Sequence, residues 1–216
     1  AVAAEVRAGW GYQPQVIPNG VDAQRFIDAA RDDEAKARWR RQLGQYVLTV
    51  GGIEPRKGTL DLAAAYHALR QRFPALKLVL AGGETLFDYR DYRAAFDAVC
   101  AELGVEPVIL GAVADADLPA LVAGCDVFAF PSTKEGFGMA AMEALAAGRP
   151  VVTRDLPVLR EVFGETVRYA ADAPGFAAEM AAALSDPRDP GSGRALAASM
   201  TWDMAAAAHL RFYASS

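Results

Sequence analysis

Apolar and polar positions fall in blocks along this chain, and the blocks alternate between two periods. Short apolar runs rich in β-branched residues recur at Tyr46–Val50, Leu76–Ala81, Val108–Leu110, Asp126–Phe130, Val151–Thr153 and Val167–Tyr169. Runs of this length beside glycine, proline or aspartate are expected to be buried strands. Between them the period lengthens. Leu62, Tyr66, Leu69 and Phe73 stand at spacings of four, three and four, one face of a helix over 59–73 that Pro74 stops. Tyr92, Phe96, Val99 and Leu103 mark a second helix, which Gly104 can cap. Shorter helices are expected over 115–123, from Met139 to Ala147, over 157–163 with proline at its start, over 176–184 and over 203–212. Some six strand–helix alternations predict an α/β chain: a Rossmann-like, doubly wound parallel sheet with helices on both faces. Around this frame, residues 1–9 read as the end of a helix, Gln15–Ile17 as a short strand and 18–22 as a turn. Residues 23–45 read as polar with one short helix over 34–43, 84–91 as a polar loop and 185–193 as a loop rich in Pro, Gly and Ser.

In such sheets ligands bind beyond the carboxyl ends of the strands, so the loops after Val50, Ala81, Leu110 and Phe130 are where chemistry is expected. The first, Gly51-Gly52-Ile53-Glu54-Pro55-Arg56-Lys57-Gly58, is flanked by glycines and precedes a helix N-terminus. Backbone N–H groups and the helix dipole there favour an anion, and the two cations beside them suggest phosphate. The order is not that of a Walker loop, and GxGxxG is absent, which argues against a nicotinamide dehydrogenase. A turn whose Arg56 and Lys57 are merely solvated remains the bland alternative.

The second loop is Glu135-Gly136-Phe137-Gly138, and the helix after it holds a puzzle. From Met139 to Ala147 every residue except Glu143 is apolar, so a carboxylate stands on a helix expected to be buried on most sides. Something must donate hydrogen bonds to it, either Arg149 and backbone groups or a ligand. Glu143 lies about 7.5 Å along the axis from Gly138. An ionised carboxylate has two acceptor oxygens, which match a vicinal diol. Glu135 at the helix mouth and Glu143 deeper could therefore grip two diols on either side of a phosphate.

Bulk composition narrows the partners. The 216 residues are 53% hydrophobic and 23% charged, enough for a substantial core. The net charge of −5 and the lack of a basic segment argue against nucleic acid. No apolar run approaches the roughly 20 residues of a membrane span, and the first residues do not read as a signal peptide. A cytoplasmic, reducing setting is expected, with Cys100 and Cys125 as free buried thiols. Neither His67 nor His209 has catalytic company in the sequence, and no cluster has metal-ligand spacing. Arginine over lysine and abundant alanine suit a GC-rich bacterial source.

Taken together and in order, these motifs resemble one family. Ile17-Pro18-Asn19-Gly20-Val21-Asp22 with Phe26, then Val50-Gly51-Gly52 through Pro55-Arg56-Lys57-Gly58, then Phe130-Pro131-Ser132, Glu135-Gly136-Phe137-Gly138, Glu143-Ala144 and Ala147-Gly148-Arg149-Pro150-Val151-Val152 are similar to the C-terminal, donor-binding half of retaining GT-B glycosyltransferases of the group 1 (family 4) type. Glu161-Val162 falls where that family has a similar pair. The resemblance implies a nucleotide-diphosphate sugar as donor, an acceptor hydroxyl, and no metal or other cofactor. It implies that Lys57 and Glu135 act on the donor side of catalysis, without acid or base work. It further implies that Gly51, Gly52, Lys57, Glu135, Gly136, Phe137, Gly138 and Met139 contact diphosphate or sugar, that Glu143 holds the ribose, and that the base lies near Val113.

Two departures stand out. Gly52 occupies a position where the family often has arginine, and Arg56 is a candidate to compensate. The acceptor-binding N-terminal domain is not in the chain. Residues 1–17 resemble its last helix and strand, 18–45 an interdomain linker, 46–200 the nucleotide-sugar-binding domain, and 201–216 the helix that crosses back. Half an enzyme of this kind is expected to bind donor weakly and not to turn over alone, any peripheral membrane contact going through the missing domain. An epimerase half and a non-catalytic nucleotide-sugar-binding module are the alternatives.

Overall fold

The computed structural model of the chain describes residues 1–83 and 89–215. Its elements in order are α1 (Val2–Trp10), α2 (Ala23–Arg31), α3 (Asp33–Leu43), β1 (Gln45–Val50), α4 (Thr59–Leu69), β2 (Leu76–Ala81), α5 (Arg90–Leu103), β3 (Val108–Gly111), α6 (Leu118–Gly124), β4 (Val127–Phe130), α7 (Met139–Ala146), β5 (Val151–Arg154), α8 (Pro157–Phe163), β6 (Arg168–Ala170), α9 (Ala173–Ser185), α10 (Gly191–Ser199) and α11 (Trp202–Ser215). A single 3₁₀ turn, Pro55–Lys57, stands between β1 and α4.

All six strands pair in parallel, in the order β3-β2-β1-β4-β5-β6. This is the expected Rossmann-like α/β architecture. Both faces of the sheet are covered, which is why the strands read as continuous apolar runs. Side chains of successive strand residues point to opposite faces. Tyr46 and Leu48 thus join Phe128, Phe130, Met142 and Phe163 in one core. Val47 joins Leu62, Leu78, Phe96, Phe176 and Met180 in the other.

The structure departs from the sequence expectations in definite places. No strand forms at 15–17; residues 11–22 lack regular structure and Val16 is exposed. A three-residue strand gains stability only from a ladder, and the sheet ends at β3 and β6. Residues 23–45 hold two helices rather than one. In α2, Ala23 and Phe26 are buried, and Ile27 and Ala30 pack against the same core, a 3–4 spacing that marks an amphipathic helix. A second unforeseen helix, α10, opens with Gly-Ser-Gly after Pro190, where turn-forming composition hides it; Gly193 and Ala197 are buried and the helix packs on α7.

Element ends also shift. The helix expected over 59–73 ends at Leu69, and Phe73 reaches the core from a following turn. The helix expected from residue 115 starts at Leu118, after a turn in which the amides of Asp117 and Leu118 both donate to the Ala114 carbonyl. Most of the polar loop expected at 84–91 lies outside the described residues.

Candidate functional site

The strand order reverses between β1 and β4, so the loops leaving these two strands diverge and open a crevice at their carboxyl ends. Each carries one of the two motifs. After β1 the chain passes Gly51, with φ of 146°, and makes the turn at 55–57; Gly58, in the left-handed region, ends that turn and leads into α4. After β4 it passes Pro131 and Ser132 and reaches Glu135 and the N-terminus of α7. The two loops are stitched together: the Thr133 amide donates to the Arg56 carbonyl at 2.8 Å. Buried Arg154 braces them from below. It donates to the Pro131 carbonyl at 3.1–3.2 Å, to the Ala171 carbonyl at 2.7 Å and to Asp61 on α4 at 2.5 Å.

Across the crevice the charged residues meet. Lys57 Nζ lies 3.0 Å from Glu135 Oε1, and Arg56 donates to the same oxygen at 3.1 Å. Arg56 also donates to Glu54 at 2.7 Å, so two cations and two carboxylates form one chain of ion pairs. Lys57 and Glu135 are only 18% and 12% exposed, so their attraction is less screened than at a surface. The ammonium of Lys57 also stands 5.3 Å from the Phe130 ring centroid, a cation–π distance.

A cavity of about 810 Å³ lies against these groups. Among the residues named from sequence, Lys57, Glu135, Gly136, Phe137, Gly138, Met139 and Glu143 line it. Gly51, Gly52, Arg56 and Val113 do not. Arg56 reaches it through the shared Glu135 oxygen, and Gly51 packs under the aliphatic stem of Lys57. Val113, on the loop after β3, packs into the core that holds α7. Gly138 needs to be glycine: its φ is 92°, and a Cβ there would meet the Phe163 ring at 3.0 Å.

The Glu143 carboxylate has no hydrogen-bond partner among the described residues, and Glu143 lines the cavity. The pairing with Arg149 does not form. That guanidinium is turned to the carbonyls of Ala123, Cys125 and Gly148. Burial pushes the Glu143 carboxyl up to about 7; Arg25 opposes the rise and Asp115 adds to it. A group that titrates near neutrality at a cavity wall, with no internal partner, is a mark of a functional position.

Sequence reasoning did not place three parts of this site. Glu54, buried and paired with Arg56, stands in the sequence only as one residue of a turn. Residues 14–19 line the cavity, a placement that no local pattern announces. Arg25 and Asp115 form a clasp between α2 and the loop after β3, at 2.8 and 2.9 Å; the α2 periodicity could have pointed to it. The remaining candidates stand outside the cavity. The His67 ring nitrogen bonds the Leu103 carbonyl and that of His209 the Ala205 carbonyl. Burial pushes the Cys125 thiol up to about 12, far from a reactive thiolate. Among the described residues no group of three or more His, Cys, Asp or Glu side chains is gathered as a metal site would be, and no helix is long and apolar enough to cross a membrane.

Comparison with known proteins shows the family. A family model described as "Glycosyl transferases group 1" matches residues 31–194. A D-inositol 3-phosphate glycosyltransferase of Salinispora arenicola is 40% identical over 150 residues, which are 64% of this chain and 33% of that protein. A phosphatidyl-myo-inositol mannosyltransferase of Mycobacterium tuberculosis is 34% identical over 211 residues, 91% of this chain and 53% of that one. The chain thus spans between a third and about half of these relatives' lengths. Among solved structures, Anabaena Alr3699/HepE in complex with UDP and glucose matches 99% of this chain and 60% of its own, with a TM-score of 0.84 and 25% identity. The chain belongs to the group 1 glycosyl transferases, as a domain of the GT-B type.

Proposed function

We propose that this chain is the donor-binding domain of a retaining glycosyltransferase, which takes a sugar from a nucleoside-diphosphate sugar and passes it to an acceptor hydroxyl supplied elsewhere. One observation carries the reading. Lys57, Arg56 and Glu135 converge where the strand order reverses, beside the N-terminus of α7, and a carboxylate without an internal partner waits deeper in the same cavity.

The chemistry follows from the charges. In the free chain the two cations are neutralised by Glu54 and Glu135. A diphosphate would draw Lys57 from Glu135 and take the α7 N-terminus as a second source of positive potential. Glu135, released, would accept from sugar hydroxyls, and Glu143 would accept from the ribose diol. As the glycosidic bond breaks, negative charge grows on the departing diphosphate, and Lys57 with Arg56 stands where that charge develops. In this reading Arg56 does the work of the arginine missing at Gly52, and the charge is met without a metal. Retention of configuration rests on the sequence resemblance. The complex of the Anabaena relative with UDP and glucose makes a uridine diphosphate sugar the first donor to try. An epimerase would want a histidine in the cleft, and neither histidine lines the cavity.

Calorimetric titration of UDP, GDP and ADP, and then of their sugars, tests the proposal. The wild-type chain should prefer one diphosphate. Glu143→Ala and Lys57→Ala should each weaken it about 10- to 100-fold, the size of one or two hydrogen bonds to a charged group. Equal affinity in wild type and both variants would discard the assignment. For a complete enzyme of this family, NMR of the product's anomeric configuration would decide retention.

A further inference from the structure

The Arg25–Asp115 clasp lies outside every motif that marks the donor site, yet it joins the parts of the site that the motifs leave unconnected. Arg25 stands on α2, a helix anchored by the buried Ala23 and Phe26 on either side of it. That helix packs against α6 and also against α7, which carries Glu143. Through one guanidinium nitrogen Arg25 donates to the Asp115 backbone carbonyl at 2.8 Å and to its carboxylate at 2.9 Å. Asp115 is 84% exposed, so a bare ion pair there would be loose. The carbonyl bond differs, because it ties the backbone of the loop that follows Gly111 and contains Val113. A second arginine, Arg38 on α3, pairs with Asp117 two residues on. The loop after β3 is therefore held from the α2–α3 side.

We propose that Arg25 is a positioning residue of the nucleoside subsite: its clasp on Asp115 fixes the loop after β3 against α7, and its charge keeps Glu143 ready to accept from the ribose. The inference rests on the reading of Glu143 as the ribose acceptor. No side chain among the described residues donates to Glu143, and Arg25 is the cation that acts on it, with Asp115 acting against. The other charged groups around α7 are engaged elsewhere or at a distance. Arg149 serves three carbonyls, and Arg194 of α10 packs on Gly148, past the helix end. Lys57 and Glu135 pair with each other across the cavity, and Glu161 of α8 lines the same cavity. A diol donates two hydrogen bonds only to an ionised carboxylate. Without Arg25, Asp115 remains and pushes Glu143 toward its neutral form, so nucleotide affinity should require a higher pH.

Calorimetry with UDP and with inorganic pyrophosphate, from about pH 5.5 to 8.5, separates this from a merely structural role. Wild type is compared with Arg25→Ala, Arg25→Lys and Asp115→Asn. Arg25→Ala should lose about fivefold in UDP affinity at neutral pH, equal to ~1 kcal/mol at 1.4 kcal/mol per tenfold. Its pH midpoint for UDP should move up, and pyrophosphate affinity should not change, because that ligand has no ribose. Arg25→Lys should restore the midpoint, and Asp115→Asn should move it down. Should Arg25→Ala fail to fold, the latter two variants decide by the position of their midpoints. An unchanged midpoint in Arg25→Ala or in Asp115→Asn, a midpoint in Arg25→Lys that differs from wild type, or an equal loss for pyrophosphate overturns the inference. Wild type binding pyrophosphate but not UDP would overturn the ribose reading of Glu143 itself.

Discussion

Burial is the largest influence on Glu143, with Arg25 and Asp115 acting on it in opposite senses. Its carboxyl is held at about 7, against 4.5 for the ordinary group, with desolvation as the main cause. The folded chain therefore binds a proton there more tightly than the unfolded chain does. By linkage the ionised form works against folding: stability falls as pH rises from about 4.5 through about 7, by about 3 kcal/mol once fully ionised. Glu143→Gln removes that cost while keeping the shape. At pH 8 it should melt higher than wild type by about 5 °C, and the gain should shrink toward pH 5. The same variant should lose nucleotide affinity, since an amide offers one acceptor where the carboxylate offers two. A melting difference that does not depend on pH would show that burial is not the origin of the strain. Lys57 and Glu135, by contrast, face each other as an ion pair at 3.0 Å in the free chain.

At the scale of elements, the site depends on how closely two strand ends approach. Gly82, just after β2, lies so near the loop after β1 that a Cβ on it would fall 2.2 Å from the Gly51 carbonyl carbon. The obstacle is backbone, which cannot rotate aside as a side chain would. Gly82→Ala should therefore push the Gly51–Gly52 segment outward and shift Lys57, whose stem packs on Gly51. The expected result is a loss of about 1–3 kcal/mol in stability together with weaker diphosphate binding. A variant as stable and as tight-binding as wild type would mean that the loop has slack the structure does not show. Helix α10 supplies the complementary case. It packs on α7 and none of its residues lines the cavity, so it supports the helix that bears Glu143 from outside the site.

Over the whole molecule, packing is uneven. The two cores on either face of the sheet bury β1 and β4 almost completely. Helix α1 has no buried residue, and Trp202, Met204 and Leu210 on α11 are exposed. Local opening free energies track such burial. Amide hydrogen exchange should be slowest in β1 and β4 and fast, close to unprotected, in α1 and along the exposed face of α11. Protection in α1 equal to that in β1 would contradict this ordering. The amides of Gln15, Val16, Ile17 and Asn19, which line the cavity, should gain protection when nucleotide binds there.

Local physics alone determined much of this protein. The strand runs, the amphipathic helices α4 and α5, the glycine turns and the oddity of a carboxylate on an apolar helix are all properties of a few neighbouring residues, so they are legible in order along the chain. The parallel sheet follows from their alternation. Partnerships could not be read this way. Glu143 and Arg149 are close in sequence, yet Arg149 turns to carbonyls and Glu143 lines a cavity. Arg56 and Glu135 are 79 residues apart and share a hydrogen bond, because the strand order reverses between β1 and β4. Val16 and its neighbours have strand-like composition but no strand to pair with. Arg25 reaches Asp115 only because α2 packs against α6. Propensity and periodicity act over a few residues, whereas contact across the crevice depends on which strands become neighbours, and only the folded chain decides that.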